Sequence, residues 1–164
     1  METILTGANE LLSQGKVEIA LSPFTLPNNL SEDICQVTFI AVAGREHPLN
    51  QPKRELTLEE LKTCRQIVIR DSALEQKKDV GWIGSDQRWT VSHVGTSIEL
   101  LRKNLGFAWL PVNAVQPFLD DGSLVPLWLP RGAKRSATFY LNFNDADTLG
   151  PVARSFIGHL RFLT

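Results

Sequence analysis

Residues 95–111, GTSIELLRKNLGFAWLP, set the tightest limit on the fold. A helical pattern with Ile98, Leu101 and Leu105 on one face gives way at once to a short apolar run that Pro111 closes. Thr96, with Glu99 three residues on, predicts a capping box at the helix start. Asn104 to Gly106 predicts a left-handed turn at its end, because glycine has no Cβ to clash there. A short apolar run between turn signals is expected of a strand covered on both faces, and a proline cannot extend its ladder.

The same alternation recurs along the chain. Residues 1–5 (METIL) predict a strand, and residues 7–14 a brief helix with Ala8, Leu11 and Leu12 inward and Gly15 as its stop. Residues 17–21 predict a second strand, giving a compact βαβ unit with parallel pairing. A polar, Pro-rich connection follows, then a strong strand pattern over residues 35–44. Thr57 and Glu60 form a second capping box. Strands are expected at residues 65–70 and 88–94, whereas residues 71–87 fit no one element. Residues 112–122 suit a short helix with Pro117 in its first turn. Residues 123–129 and 136–143 read as strands flanking the turn PRGAKR. Leu149, Val152, Ala153, Phe156, Ile157, Leu160 and Leu163 then recur at helical spacing, with Arg154 and Arg161 off the stripe and Pro151 in the first turn. Helices alternating with strands predict an α/β fold with mainly parallel sheets.

Charge narrows the function classes. Seventeen basic residues stand against 18 acidic ones, and no Lys/Arg stripe marks a nucleic-acid face. Arg131, Lys134 and Arg135 read as a solvated turn. Cys35 and Cys64 lack metal-ligand spacing and read as reduced thiols, with a disulfide as the alternative. No apolar run approaches membrane-spanning length, and the opening METILTGANE has neither a basic region nor an apolar signal core. The expectation is a cytoplasmic protein without a membrane partner. His47, His93 and His159 fall in no catalytic motif, and no phosphate loop, nucleophile elbow or metal cluster is visible. No enzyme activity, cofactor or metal is expected.

The segments ANELLSQGKVEIAL, AGREHPLNQ, LTLEELKTCRQIVI, VGTSIELLRKNLGFAWLPVNAVQPFLDDGSLVPL and LGPVARSFIGHLRF, in this order and spacing, resemble the effector-binding domain of LysR-type transcriptional regulators. That resemblance implies a two-lobed fold like that of periplasmic solute-binding proteins, with a small-molecule cleft between the lobes. Lobe one would comprise residues 1–36 plus 140–164, and lobe two residues 37–139. The family's winged helix-turn-helix has no counterpart in this sequence, so DNA would be bound only through a domain outside it. The first strand and helix of lobe one also lack counterparts, which would leave apolar surface and a sheet edge open to self-association. The resemblance further implies a homo-dimer or tetramer, with the helix over residues 96–104 as a dimer face.

Ligands of open α/β sheets bind beyond the carboxyl ends of strands, where helix N-termini aim free N–H groups. Loops at residues 5–7, 21–24, 70–73 and 94–97 meet that condition, and the resemblance turns them towards the cleft. Ser72 is the first choice for a ligand hydroxyl, beside Arg70, which suits a small anion, and Asp71; the alternative is a solvated loop in which Asp71 caps the next segment. Thr96 and Ser97 could hold a carboxylate; the alternative, which the residues favour for Thr96, is that it caps its own helix, while Ser97 is freer to turn outward. Thr6 has the same two readings at the first helix. Ser22 offers a hydroxyl, and Phe24 an apolar wall or a hinge plug. A stand-alone solute-binding protein of the same architecture is the alternative function, and an enzyme on a related fold is a third.

Overall fold

Alternating residues over the second half of strand β2 (Leu30–Gly44) enter two different cores, and the rest of the architecture follows from that strand. The computed structural model describes residues 5–52, 54–69, 84–145, 147 and 149–163, with the side chains of residues 5–7, 162 and 163 excepted. In chain order come α1 (Leu5–Ser13), β1 (Ile19–Ser22), β2, a 3-10 turn (Pro48–Asn50), α2 (Leu58–Thr63), β3 (Gln66–Ile69) and β4 (Arg88–Val91). Then follow α3 (Val94–Arg102), β5 (Phe107–Pro111), α4 (Val112–Asp120), β6 (Leu124–Pro126), β7 (Lys134–Phe143) and α5 (Pro151–Leu163). The chain divides into two units, Met1–Val37 with Ala137–Thr164, and Thr38–Ser136. It leaves the first along β2 and returns to it along β7.

In the first unit the strand order is β1-β7-β2, with β1 antiparallel to β7. Ile19, Ile34, Leu141, Phe143, Leu149, Ala153, Ile157 and Leu160 form its core under α5. Arg161 of α5 reaches Glu32 of β2, Nε to Oε2 at 3.0 Å. In the second unit the order is β2-β5-β3-β4, with β6 on β2. Ile40, Val42, Ala108 and Leu110 face Ile98, Leu101 and Val115 of α3 and α4. Ala41, Ala43 and Phe107 face Leu49, Leu56, Leu61, Leu127 and Leu129 on the other side. Burial of both strand faces accounts for the near-continuous apolar sequence of β5.

The expectation of mainly parallel sheets is wrong: the sheet is mostly antiparallel. β1 with β7, and β2 with both β5 and β6, run antiparallel, whereas β3 pairs in parallel with β4 and β5. The two long strands that carry the chain between the units run counter to the strands beside them, so helix–strand alternation did not report their direction. Of the METIL strand, residues 1–4 lie outside the described residues and Leu5 already opens α1. Strand β2 begins five residues before the sequence pattern does, inside the polar connection. β4 stops at Val91 and β6 at Pro126, both shorter than predicted.

The capping box at Thr57 forms: Glu60 N–H donates to Thr57 Oγ1, and Thr57 N–H to Glu60 Oε2 at 2.8 Å. Arg54 also grips Glu60 (2.8 Å), so these hydrogen bonds hold the exposed carboxyl down at about 2. The box predicted at Thr96 does not form. Helix α3 starts at Val94, with His93 at the N-cap and no side-chain cap. Val94, Ser97, Ile98 and Leu101 fall at helical spacing against the sheet, and that packing draws the extra turn into the helix. Pro117 is the sixth residue of α4 rather than a first-turn residue. Val152 and Phe156 are exposed, so the apolar stripe of α5 is wider than the surface it buries.

The turn after α3 also differs. Asn104, not glycine, takes the left-handed conformation (φ 58°). Gly106 is needed because a Cβ there would lie 2.5 Å from the Arg65 carbonyl. Gly44 is tighter still, since a Cβ would overlap the Leu101 carbonyl oxygen and Asn104 Oδ1. Both cysteines are free; Cys35 is exposed on β2 and Cys64 half-buried at the end of α2. Gly44→Ala is expected to cost about 1–3 kcal/mol by overpacking, read as a lower denaturant midpoint. Gly158→Ala in α5, where nothing lies within 4 Å, should instead gain about 0.5–1 kcal/mol; equal effects would contradict the packing described.

Candidate ligand-binding site

In the first unit, α1 and β1 hold a buried polar cluster. The Asn9 amide donates to Ser22 Oγ at 3.0 Å, and Phe24 N–H donates to the same oxygen at 3.1 Å. Asn142 of β7 donates to the Phe24 carbonyl at 2.9 Å, while its own Oδ1 accepts from Ser31 Oγ at 2.6 Å. Ser22 and Asn142 are both fully buried. Ser22 therefore serves first as the acceptor that folds its own loop, and Phe24 is fixed through its backbone at both ends. Asn9 Oδ1 is buried with no hydrogen-bond partner.

Sequence reasoning missed Asn9 and Asn142. Asn9 does carry a signal, standing one helical turn before the buried Leu12. Asn142 sits amid Leu141 and Phe143, which conceal a polar role in an apolar strand. Thr6 lies in the first turn of α1 rather than in a loop before it, and its side chain is outside the described residues. So are Arg70, Asp71 and Ser72 in their entirety.

In the second unit, helix α3 presents a first turn without a cap. Among the described residues no group accepts from the N–H groups of Val94, Gly95 and Thr96; the first helical bond runs from Ser97 N–H to the His93 carbonyl (3.2 Å). Thr96 is exposed beside these donors. Ser97 does not turn outward: it is fully buried, and its Oγ finds no partner. An open helix N-terminus carries roughly half a positive charge and favours an anion. At the opposite end of α3 lies a pocket of about 430 Å³ lined by Arg45, Glu46, Glu99, Arg102, Lys103, Asn104 and Ser123. None of the candidate residues lines it.

His47 is buried, and its Nδ1 accepts from Leu49 N–H at 3.2 Å, capping the 3-10 turn. Among the described residues no three His, Cys, Asp or Glu side chains converge as metal ligands. No described helix is long and apolar enough to cross a membrane.

A chain that leaves an α/β unit once, builds a second and returns once has the connectivity of two-lobed, periplasmic-binding-protein-like ligand-binding domains. The sequence profile of the LysR substrate binding domain matches residues 2–162, and the chain belongs to that family. It is thus a ligand-sensing and oligomerisation domain of the LysR type. Among solved structures it is similar to the regulatory domain of MetR from N. meningitidis, at 19% identity and a TM-score of 0.73, over 93% of this chain and 73% of that one. ArgP from Mycobacterium tuberculosis is similar at 17% identity and a TM-score of 0.77, over 98% of this chain and 56% of that one. Full-length LysG from Corynebacterium glutamicum is similar at 15% identity and a TM-score of 0.72, over 98% of this chain and 55% of that one. No curated protein sequence matches.

Burial lowers the His47 pKa from its ordinary 6.5, because desolvation disfavours the charged ring in the folded protein. As pH falls through that ordinary value the unfolded chain takes up a proton that the folded chain does not, and stability drops. His47→Asn keeps a cap acceptor and removes the titration. Between about pH 7.5 and about pH 5.5, the wild type should lose more urea resistance than this variant; parallel losses would show that the ring does not titrate differently on folding.

Proposed function

We propose that this domain binds a small anionic effector, and that the uncapped first turn of α3, with the partnerless Ser97 Oγ buried behind it, is the site's anchor. A carboxylate or comparable oxyanion at this turn would accept from Gly95 and Thr96 N–H and from the Thr96 hydroxyl. Ser97 gives the site a reason to carry a buried hydroxyl that costs stability in the free protein. Ser22, Phe24, Thr6, Arg70, Asp71 and Ser72 are the further proposed ligand contacts, the Ser22–Phe24 loop being held in shape by Asn9 and Asn142.

Proteins of this fold are known with small ligands bound: LysG with its effector arginine, which carries a carboxylate although its net charge is positive, and the regulatory domain of HypT from Salmonella typhimurium with a bromide ion. On this reading the domain is not an enzyme. The effector shifts an equilibrium between domain arrangements by its differential affinity for them. In a dimer or tetramer that shift changes how DNA is bound by a domain outside this chain, in the cytoplasm.

Thermal-shift measurements with small carboxylates and with sulfate test the reading. A ligand at a hundred times its dissociation constant adds about 2.7 kcal/mol, a rise of roughly 5–10 °C in the midpoint for a domain of this size. Ser97→Ala should leave the ligand-free midpoint unchanged or slightly higher, because it deletes a hydroxyl without a partner, and should cut the ligand-induced rise. A best-binding anion whose shift survives both Ser97→Ala and Thr96→Val would move the site away from α3.

A further inference from the structure

The pocket at the far end of α3 lies wholly within the second unit. Three segments build it: Arg45 and Glu46 after β2, the end of α3 with Lys103 and Asn104, and Ser123 before β6. Their backbones are tied to one another. Arg45 N–H donates to the Ser123 carbonyl at 3.1 Å, and Glu46 N–H donates to Asn104 Oδ1 at 3.1 Å. Gly44 wedges against α3 just before them, where a Cβ would overlap the Leu101 carbonyl oxygen. The walls are thus set by the fold itself, and a preformed site loses less on binding.

Several side chains on these walls are left over from the fold's own pairing. Glu99 and Arg102 satisfy each other at 3.2 Å. Arg45 and Lys103, from different walls, have no ion pair among the described residues, and neither has Glu46. Lys103 at the end of α3 offsets the negative end of the helix. Arg45 is on no helix, so that role does not account for it. Its Nη1 lies 3.9 Å from where a Cβ of Gly122 would stand, which sets the guanidinium beside the Gly122–Ser123 turn. Asn104 Oδ1 is taken by Glu46 N–H, and among the described residues nothing accepts from its Nδ2.

A guanidinium, an ammonium and an amide N–H on one pocket match an oxyanion with several oxygens. A phosphate group offers three terminal oxygens, more than a carboxylate, and the planar arginine fork fits it in bidentate fashion. Glu46 opposes a bare anion but can accept from a ligand hydroxyl. The volume of about 430 Å³ falls among clefts that hold whole small molecules, roughly 300–1,000 Å³, rather than a lone ion. We propose that this pocket binds a small, hydroxyl-bearing phosphate monoester, with Arg45, Lys103 and the Asn104 amide on the phosphate and Glu46 on a hydroxyl. The site is a second one, about 13 Å along the nine residues of α3 from its first turn. It does not rest on the anion proposed there.

Titration calorimetry with glycerol phosphate, glucose phosphate and inorganic phosphate, in a buffer free of phosphate and sulfate, tests it. At least one ester should bind saturably in the millimolar range and more tightly than inorganic phosphate, while glycerol and glucose give no binding heat. Arg45 and Lys103 are exposed, so the double variant Arg45→Gln, Lys103→Gln should keep the wild-type circular dichroism and light-scattering mass. It should bind that ester roughly tenfold more weakly or worse, as the loss of charge-assisted hydrogen bonds implies. Glu46→Gln should narrow the preference for the ester over inorganic phosphate. The proposal is overturned if neither ester binds saturably, if inorganic phosphate binds as well as the better ester, or if the double variant binds like the wild type. Binding lost only with Ser97→Ala or Thr96→Val would also overturn it, by placing the ester at the first turn of α3. So would a double variant of altered mass, since the two cations would then hold another chain.

Discussion

Strand β2 has to satisfy two cores at once, and its side-chain sizes record that demand. Ile40 and Val42 fill the side under α3 and α4, while Ala41 and Ala43 leave room on the other for Phe107 and the leucines of the 3-10 turn, α2 and the residue 127–129 segment. Its last residue, Gly44, lies against the end of α3 so closely that only hydrogen fits. The same glycine carbonyl accepts from His47 N–H at 3.0 Å and from the Asn50 amide at 2.7 Å. Asn104 completes the junction: its positive φ turns the chain out of α3, and its Oδ1 accepts from Glu46 N–H at 3.1 Å. Strand, helix end and loop are locked at one point, which fixes the direction of α3 and hence of its open first turn.

Much of this was legible in residues. The order of helices and strands, the Thr57–Glu60 box and the stop at Gly15 follow from side-chain period and backbone sterics, which act locally. Strand direction did not, because helix–strand alternation is silent about long strands that thread two units. The start of α3 was misplaced for a related reason: a Thr-x-x-Glu pattern competes with an apolar stripe that extends one turn further back, and the stripe won. The candidate site divided in the same way. Ser22 and Ser97 were found as hydroxyls near strand ends, but burial and hydrogen-bond partners, which a single sequence does not carry, separate the structural one from the available one. Asn9 and Asn142 escaped because each stands in an apolar pattern that disguises it.

Buried polar groups distinguish the two candidate regions. Around Ser22 the hydrogen-bonding groups are matched save Asn9 Oδ1, and the cluster holds a loop in place. Behind the first turn of α3 the match is incomplete, with unaccepted backbone donors outside and a partnerless hydroxyl within. An interior that tolerates such a mismatch forfeits stability that an apolar residue would retain. The proposed binding role would account for keeping it.

The two thiols give this molecule a practical asymmetry. Cys35 belongs to the first unit and is exposed; Cys64 belongs to the second and is half-buried, with burial pushing its thiol pKa up. Since the thiolate is the reacting species, an alkylating dye should find Cys35 first and Cys64 only slowly. One chain can thus accept a donor and an acceptor fluorophore in succession, one on each unit, without any introduced cysteine. Energy transfer between the two dyes would then report directly on whether an effector changes the relation of the units.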